Sequence, residues 1–311
     1  VIFFCFFFFL MLRLPPSSTL VRSSAASDVY KRQTQVIPVK EQMVLDGTFP
    51  TVKSPNPENP EGFYLAVDLA KEVGSDLILG TDPDSDRVGV MVRGTDGEYR
   101  TITGNQMGVL LLDYIITARR RKGTLPENAA AISTIVTSKM VRRICDVNDI
   151  HFDETFTGFK FMAEKLAEYQ RDGSYQYVLA FEESYGYMMG DYVRDKDAVT
   201  ACVMITEMAA YYFEQGMTLA QALDALYEKY GFYGERTLNL VMPGLDGLEK
   251  MRALMAQLRR EPLQEIAGTK VVRMRDYQDG SVYVMGLGKM DKTPISGSNV
   301  LYFELDDGCS F

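Results

Sequence analysis

The sequence is poor in histidine, in paired cysteine and in net positive charge. His151 is the only histidine. No site needing two histidine ligands from one chain fits, neither a facial triad nor a two-histidine zinc site. The four cysteines, Cys5, Cys145, Cys202 and Cys309, lie far apart without a CxxC. That excludes a zinc knuckle or a disulfide framework and reads as free thiols in a reducing compartment. Lysine and arginine number 33 against 42 acidic residues, a net charge of −9. An acidic chain is a poor sequence-independent binder of nucleic acid or of an anionic membrane. A local basic pocket for a small anion is compatible with it. What is present is ordinary globular composition, 46% apolar and 24% charged over 311 residues. That length is enough for two or three domains, and that composition opposes wholesale disorder.

A starting methionine is also missing, since the chain opens at Val1. Val1 to Leu12 is apolar throughout, but as a helix it would rise only about 18 Å, short of a bilayer core. A secretory signal needs basic residues ahead of its apolar run, and here Arg13 follows it. Ser23-Ser24-Ala25-Ala26 would serve as a cleavage site. The stretch Ser24 to Gln33 instead resembles adaptor-derived translation at the end of an assembled read. Residues 1–33 are therefore expected to be a non-native leader without targeting information, and the remainder cytoplasmic. At the other end, Val300 to Leu305 alternates like a strand and Asp306-Asp307-Gly308 signals a turn. Cys309 to Phe311 would begin a return strand.

Between the ends, strand and helix patterns alternate. Asn59-Pro60 reads as N-cap and N1 of a helix with Phe63, Ala66, Val67, Ala70 and Val73 on one face, ended by Gly74. Leu77 to Leu79 and Val88 to Val92 read as buried strands. Helices are expected over 106–118, 161–169, 198–215 and 219–230, and strands over 129–136 and 177–181. The basic end Arg119 to Lys122 suits a helix C-terminus. Such alternation argues for parallel α/β sheets. Gly231 to Gly234 reads as a linker before an α+β-looking segment that opens at Thr237.

The sharpest chemical feature is Gly80-Thr81-Asp82-Pro83-Asp84-Ser85-Asp86-Arg87, between two buried strands. Three carboxylates at alternate positions on one loop can converge, and uncompensated they would repel. A hard divalent cation relieves this, and all-oxygen ligation points to Mg²⁺ or Ca²⁺. An EF-hand is excluded: its sixth and twelfth positions would be Arg87 and Arg93. Arg87 can bind a phosphate oxygen beside that cation. Thr157-Gly158-Phe159-Lys160 places a tight turn and a lysine at a helix start, where anions are favoured. Phe181-Glu182-Glu183-Ser184-Tyr185-Gly186-Tyr187 follows a strand, where α/β ligands bind, and Glu and Ser suit vicinal sugar hydroxyls. Arg194-Asp195-Lys196-Asp197 opens a long helix, and Asp195 or Asp197 would serve as its cap.

In this order, Gly80–Arg87, Thr157–Lys160 and Glu182–Tyr187 resemble the α-D-phosphohexomutase family, and specifically its phosphoglucomutase branch. Asp46-Gly47-Thr48-Phe49-Pro50, Ser54-Pro55-Asn56-Pro57-Glu58 and Thr103 to Gly108 also look like that family. The resemblance runs from about residue 36 to 308. It implies phosphohexomutase-type α/β domains with mixed sheets, plus the start of a smaller α+β C-terminal domain. The expected divisions are a truncated metal-binding domain over 34–97, a sugar-binding domain over 98–232 and a truncated phosphate-binding domain over 235–311. It implies interconversion of glucose 1-phosphate and glucose 6-phosphate through a phosphoserine enzyme, with glucose 1,6-bisphosphate as intermediate and activator. Asp82, Asp84 and Asp86 would hold Mg²⁺, with Arg87 assisting the transfer. Glu182 and Ser184 would hold the sugar hydroxyls. Thr157 and Gly158 would contribute to the substrate site, and Lys160 would be a proton donor or phosphate contact. Arg194 and Lys196 would line the cleft. The expected partner is a small sugar phosphate, with no nucleic acid and no membrane.

Two departures qualify the likeness. A serine loop of the form Thr-Ala-Ser-His-Asn-Pro occurs nowhere in the chain, and a terminal phosphate loop rich in Arg, Ser, Gly and Thr is also missing. The chain is therefore expected to be inactive as written, the middle of a mutase cut at both ends. Within the family, phosphomannomutase and phosphopentomutase are the alternatives. Outside it stand a haloacid-dehalogenase-like phosphatase, with an aspartate nucleophile, and a sugar-phosphate-binding module without catalysis.

Overall fold

The computed structural model describes residues 9–13, 35–44, 46–238, 240, 242–244 and 246–311. The leader expected at 1–33 lies outside the described residues except for Phe9–Arg13, which forms a strand, β1. The chain divides into two compact units, one ending at Gly234 and the other beginning at Glu235.

The first unit continues with β2 (Gln35–Pro38), α1 (Tyr64–Val73), β3 (Leu77–Thr81), β4 (Val88–Arg93), β5 (Tyr99–Ile102) and α2 (Gly104–Lys122). Then follow β6 (Ala129–Thr134), α3 (Met140–Asn148), β7 (His151–Thr155), α4 (Phe159–Asp172), β8 (Gln176–Phe181), β9 (Tyr187–Met188), α5 (Ala198–Glu214) and α6 (Leu219–Tyr230). Local signals account for the helix ends. Gly74 caps α1 at φ 68°, a left-handed conformation that an L side chain would resist. Thr103 and Gln106 form a reciprocal capping box on α2, and Asp197 accepts from the backbone of Val199 and Thr200 at the start of α5.

Among the described residues of this unit, the strands form two sheets. One has the order β2-β1-β3-β4-β5 and is antiparallel throughout. This departs from the parallel pairing expected of a strand–helix alternation. Its β3–β4 and β4–β5 connections are the loop Asp82–Arg87 and the turn Gly94–Glu98, both too short for a parallel crossover. The other sheet has the order β7-β6-β8-β9. There β7, β6 and β8 are parallel, because α3 and α4 provide crossovers, and β9 returns antiparallel.

Both sheets are covered on two faces, so their strands are apolar on both. Leu77 and Leu79 of β3 pack into a large core with α2, α5 and α6, while Ile78 packs against Phe63, Ala66 and Ala70 beside α1. In β6, Ala129 and Ala131 join the large core, and Ala130 and Ile132 meet Phe159, Met162 and Leu166 of α4. The large core draws side chains from both sheets.

The second unit holds α7 (Gly247–Arg260) and the strands β10 (Glu265–Ile266), β11 (Thr269–Asp276), β12 (Ser281–Val284), β13 (Gly288–Lys292) and β14 (Leu301–Leu305). They form an antiparallel sheet in which β14 also pairs with β11. Val271, Met274, Phe303 and Leu305 make its core. The return after Gly308 begins as expected, with Phe311 and Phe303 exchanging backbone hydrogen bonds at 2.9 and 2.8 Å. Among the described residues no helix is long and apolar enough to cross a membrane.

Burial also sets the thiol chemistry. Cys145 and Cys202 are free and buried, and burial pushes both thiols up to about 12, while Cys309 is exposed. The thiolate is the reactive form. A thiol-disulfide reagent at pH 8 should therefore label Cys309 rapidly, and Cys145 and Cys202 only once denaturant is added. Mass spectrometry of labelled peptides checks this; native labelling of Cys145 or Cys202 at the Cys309 rate contradicts it. Cys5 lies outside the described residues.

Candidate functional site

The loop Asp82–Arg87 must reverse the chain between β3 and β4. It does so through Ser85 at φ 58°, a left-handed conformation that costs a non-glycine residue about 1–2 kcal/mol. Buried Asp82 offsets that cost. Its Oδ1 accepts from the backbone N–H of Asp86 at 3.1 Å and of Arg87 at 2.9 Å, and its Oδ2 accepts from Arg87 Nε at 2.9 Å. The result is a loop with its carboxylates gathered. Asp82, Asp84 and Asp86 each offer an oxygen within 4.8 Å of the others. Asp84 is exposed, and Asp86 is intermediate.

Two cations face these three carboxylates. Lys196 Nζ lies 2.8 Å from Asp86 Oδ2, and Arg87 Nε lies 3.5 Å from Asp86 Oδ1. Asp86 Oδ1 is nevertheless buried without a hydrogen-bond partner. Burial, with hydrogen bonding and charge from Asp86 and then the charge of Asp84, pushes the Asp82 carboxyl up to about 6. Burial alone would raise Asp86 too, but hydrogen bonds from Asp82 and Lys196 hold it below the usual carboxylate range. An all-oxygen donor set, an orphaned buried oxygen and mutual repulsion among the acids fit a hard divalent cation such as Mg²⁺.

The loop after β8 is stitched to the metal loop by backbone. Val88 N donates to Tyr185 O at 3.1 Å, and Arg87 pairs with Gly186 in an isolated antiparallel bridge. Glu182 is buried at its root. Its Oε1 accepts from Gly158 N at 2.5 Å and its Oε2 from Ser184 Oγ at 3.3 Å. Burial raises the Glu182 carboxyl above its usual range, against the pull of the Gly158 N–H. Glu183 turns elsewhere and accepts from Thr134 and Thr137 at 3.0 and 3.4 Å. Gly104 lets α2 approach this loop: a Cβ there would lie 2.1 Å from Glu183 O.

The expected site residues thus divide. Asp82, Asp84, Asp86, Arg87, Gly158, Glu182, Ser184 and Lys196 come together through these contacts. Thr157 and Lys160 are exposed at the start of α4, with Lys160 Nζ 4.6 Å from the Phe161 ring centroid. Arg194 is exposed and donates to Gln170 Oε1 at 2.6 Å, toward the far end of α4. His151 opens β7, stacked on Tyr175 at 3.8 Å, at the end of the parallel strands remote from these loops. One participant was named in the sequence reading only as part of a family-like stretch, without a role. Glu58 Oε1 lies 3.6 Å from Arg87 Nη1; the proline-rich stretch around it was the available signal.

Residues 103–230 match the family model for phosphoglucomutase/phosphomannomutase, alpha/beta/alpha domain III, and residues 21–96 match that for alpha/beta/alpha domain II. The chain belongs to this family. The phosphoglucomutase of Staphylococcus saprophyticus is 33% identical over 272 residues, which cover 86% of this chain and 48% of that protein. That of Staphylococcus aureus is 34% identical over 270 residues, 87% of this chain and 48% of the other. The chain spans about half the length of the curated relatives it matches. Among solved structures, parafusin, a phosphoglucomutase from Paramecium in its open form, aligns with a TM-score of 0.50 at 20% identity. That alignment covers 82% of this chain and 42% of parafusin, and it is a likeness of fold. The antiparallel sheet and the mixed sheet of the first unit are those of phosphohexomutase α/β domains.

Proposed function

We propose that this chain is the metal- and sugar-binding part of a phosphoglucomutase that interconverts glucose 1-phosphate and glucose 6-phosphate through glucose 1,6-bisphosphate. One observation carries the reading. The contacts Lys196–Asp86 at 2.8 Å and Gly158–Glu182 at 2.5 Å, joined by the Arg87–Gly186 bridge, draw four segments distant in sequence into one cluster. On this reading, residues 34–97 supply the metal loop, 98–232 the sugar-binding loops and 235–311 part of a phosphate-binding domain.

Asp82, Asp84 and Asp86 would hold Mg²⁺, which when bound neutralises charge developing on the transferred phosphoryl group. Arg87, held by Asp82 and Glu58, presents its guanidinium to a phosphoryl oxygen. Glu182 is fixed by Gly158 N–H and Ser184, so its carboxylate meets the sugar hydroxyls in a set orientation. A rotated sugar presents equivalent vicinal hydroxyls to the same pair, which a mutase needs. Lys160 and Thr157, exposed on the turn above, meet the substrate phosphate or supply a proton; Arg194 and Lys196 line the cleft. The phosphoryl-carrying serine is not in this chain, which has no Thr-Ala-Ser-His-Asn-Pro stretch. The phosphatase alternative is disfavoured because both oxygens of Asp82 are already engaged by three N–H donors, leaving a poor nucleophile.

The test is a coupled assay for glucose 6-phosphate formation from glucose 1-phosphate. Residues 34–311 alone should show no turnover above background. The product of the source gene, read outward to include a serine loop, should turn over and lose that activity to EDTA. Turnover by the fragment, or a preference of the longer product for mannose or pentose phosphates, would overturn the corresponding part of the reading.

A further inference from the structure

Lys196 touches all three motifs at once. Its ammonium pairs with Asp86 of the metal loop at 2.8 Å and stands 5.4 Å from the centroid of the Phe159 ring, in the lysine turn. Its stem crosses the hydroxyl loop at Gly186, where a Cβ would lie 2.4 Å from Lys196 Cδ. Backbone bonds fix its neighbours: Asp197 N donates to Tyr187 O and Ala198 N to Ser85 O, both at 3.0 Å. The side chain is 21% exposed, so its charge is substantially desolvated and needs a partner.

Asp195 Oδ1 stands at 3.7 Å, and the nearer partner, Asp86, is a carboxylate with a second claim on it. Asp86 gives one oxygen to Lys196, and its other oxygen is buried without a hydrogen-bond partner. A group suited to ligate a divalent cation is thus held in advance by a monovalent one. We propose that Lys196 is a resident placeholder for the metal: it neutralises Asp86 while the loop is empty and gives way when a divalent cation binds, so that its ammonium becomes available to the phosphate of the sugar substrate. This rests on the reading of Asp82, Asp84 and Asp86 as a metal site. Two consequences follow. Lys196 opposes the cation by charge, so removing it strengthens cation binding. Cation and sugar phosphate bind cooperatively, and each raises the affinity of the other by one common factor.

The experiment uses the whole chain. Mn²⁺ binding is followed by electron paramagnetic resonance in the wild type, Lys196→Met and Lys196→Arg. Glucose 1-phosphate binding is followed by calorimetry with and without Mg²⁺. Lys196→Met should bind Mn²⁺ roughly tenfold tighter or more, because a unit charge a few ångströms away is removed. Lys196→Arg should bind as the wild type does. Saturating Mg²⁺ should tighten glucose 1-phosphate binding to the wild type by roughly tenfold, a typical coupling, and should not do so in Lys196→Met. A folded Lys196→Met that binds Mn²⁺ no more tightly than the wild type overturns the proposal and leaves Lys196 a structural strut. Absence of coupling in the wild type overturns it too, and decides the matter if Lys196→Met fails to fold. Failure of the underlying metal site looks different: no variant, nor the wild type, would bind Mn²⁺, and the placeholder falls with the site.

Discussion

Replacing Asp84 with asparagine is expected to weaken cation binding by about a hundredfold and leave the fold intact. Asp84 is the exposed member of the triad. It shares with its neighbours a 4.8 Å cluster of ligand oxygens, so its charge counts in the cation's field but little of its surface counts in the core. Losing one of three anionic ligands should weaken Mg²⁺ by about a hundredfold. Stability should move by less than about 0.5 kcal/mol, as for most surface changes. Asp82→Asn should weaken the cation too but, unlike Asp84→Asn, should also cost stability. An amide at Asp82 would set an NH₂ donor against the Arg87 Nε donor and forfeit charge-assisted bonds that shape the loop, at a cost of about 2–3 kcal/mol. Calorimetric titration with Mg²⁺ beside urea denaturation separates the two. If Asp84→Asn keeps wild-type affinity, the triad is not the metal site. If it unfolds the chain, the loop does not depend on Asp82 as argued.

Gly108→Ala is expected to destabilise the first unit by about 2 kcal/mol, although alanine is the better helix former. Within an exposed helix the change would gain about 1 kcal/mol. Here α2 lies so close to β8 that a Cβ at Gly108 would come 2.0 Å from Phe181 Cε2 and 2.1 Å from Cδ2. The ring is 1% exposed and stacks with Tyr187, so it has no free space to move into. Overpacking of this kind typically costs 1–3 kcal/mol, and the extreme approach places it at or above the upper end before the propensity gain is subtracted. Phe181 immediately precedes Glu182, so the strain should also reach the hydroxyl loop. Phe181→Leu should cost stability on its own, yet combined with Gly108→Ala it should cost less than the sum. A coupling of about 1 kcal/mol or more in the double-mutant cycle is expected, and strict additivity would refute the packing argument.

What the sequence determined by itself was local. The buried strands at 77–79 and 88–92, the helices expected over 106–118 and 198–215, and the stop at Gly74 follow from periodicity and capping chemistry spanning a turn or two of chain. The convergence of Asp82, Asp84 and Asp86 was legible for the same reason, because alternate residues of one short loop have few places to go. Tertiary structure alone decided the rest. The antiparallel run β3-β4-β5 follows from its short connections, but the seating of β1 between β2 and β3 depends on which strands the core brings side by side, and alternation of apolar segments does not encode that. Helix N-termini favour anions, but only packing of β8 beside α4 puts the Glu182 carboxylate on Gly158 N–H. Lys196 and Arg194 stand in the same charged tetrapeptide. One meets Asp86 and the other meets Gln170, because each side chain answers to the surface across from it and not to its neighbours in the chain.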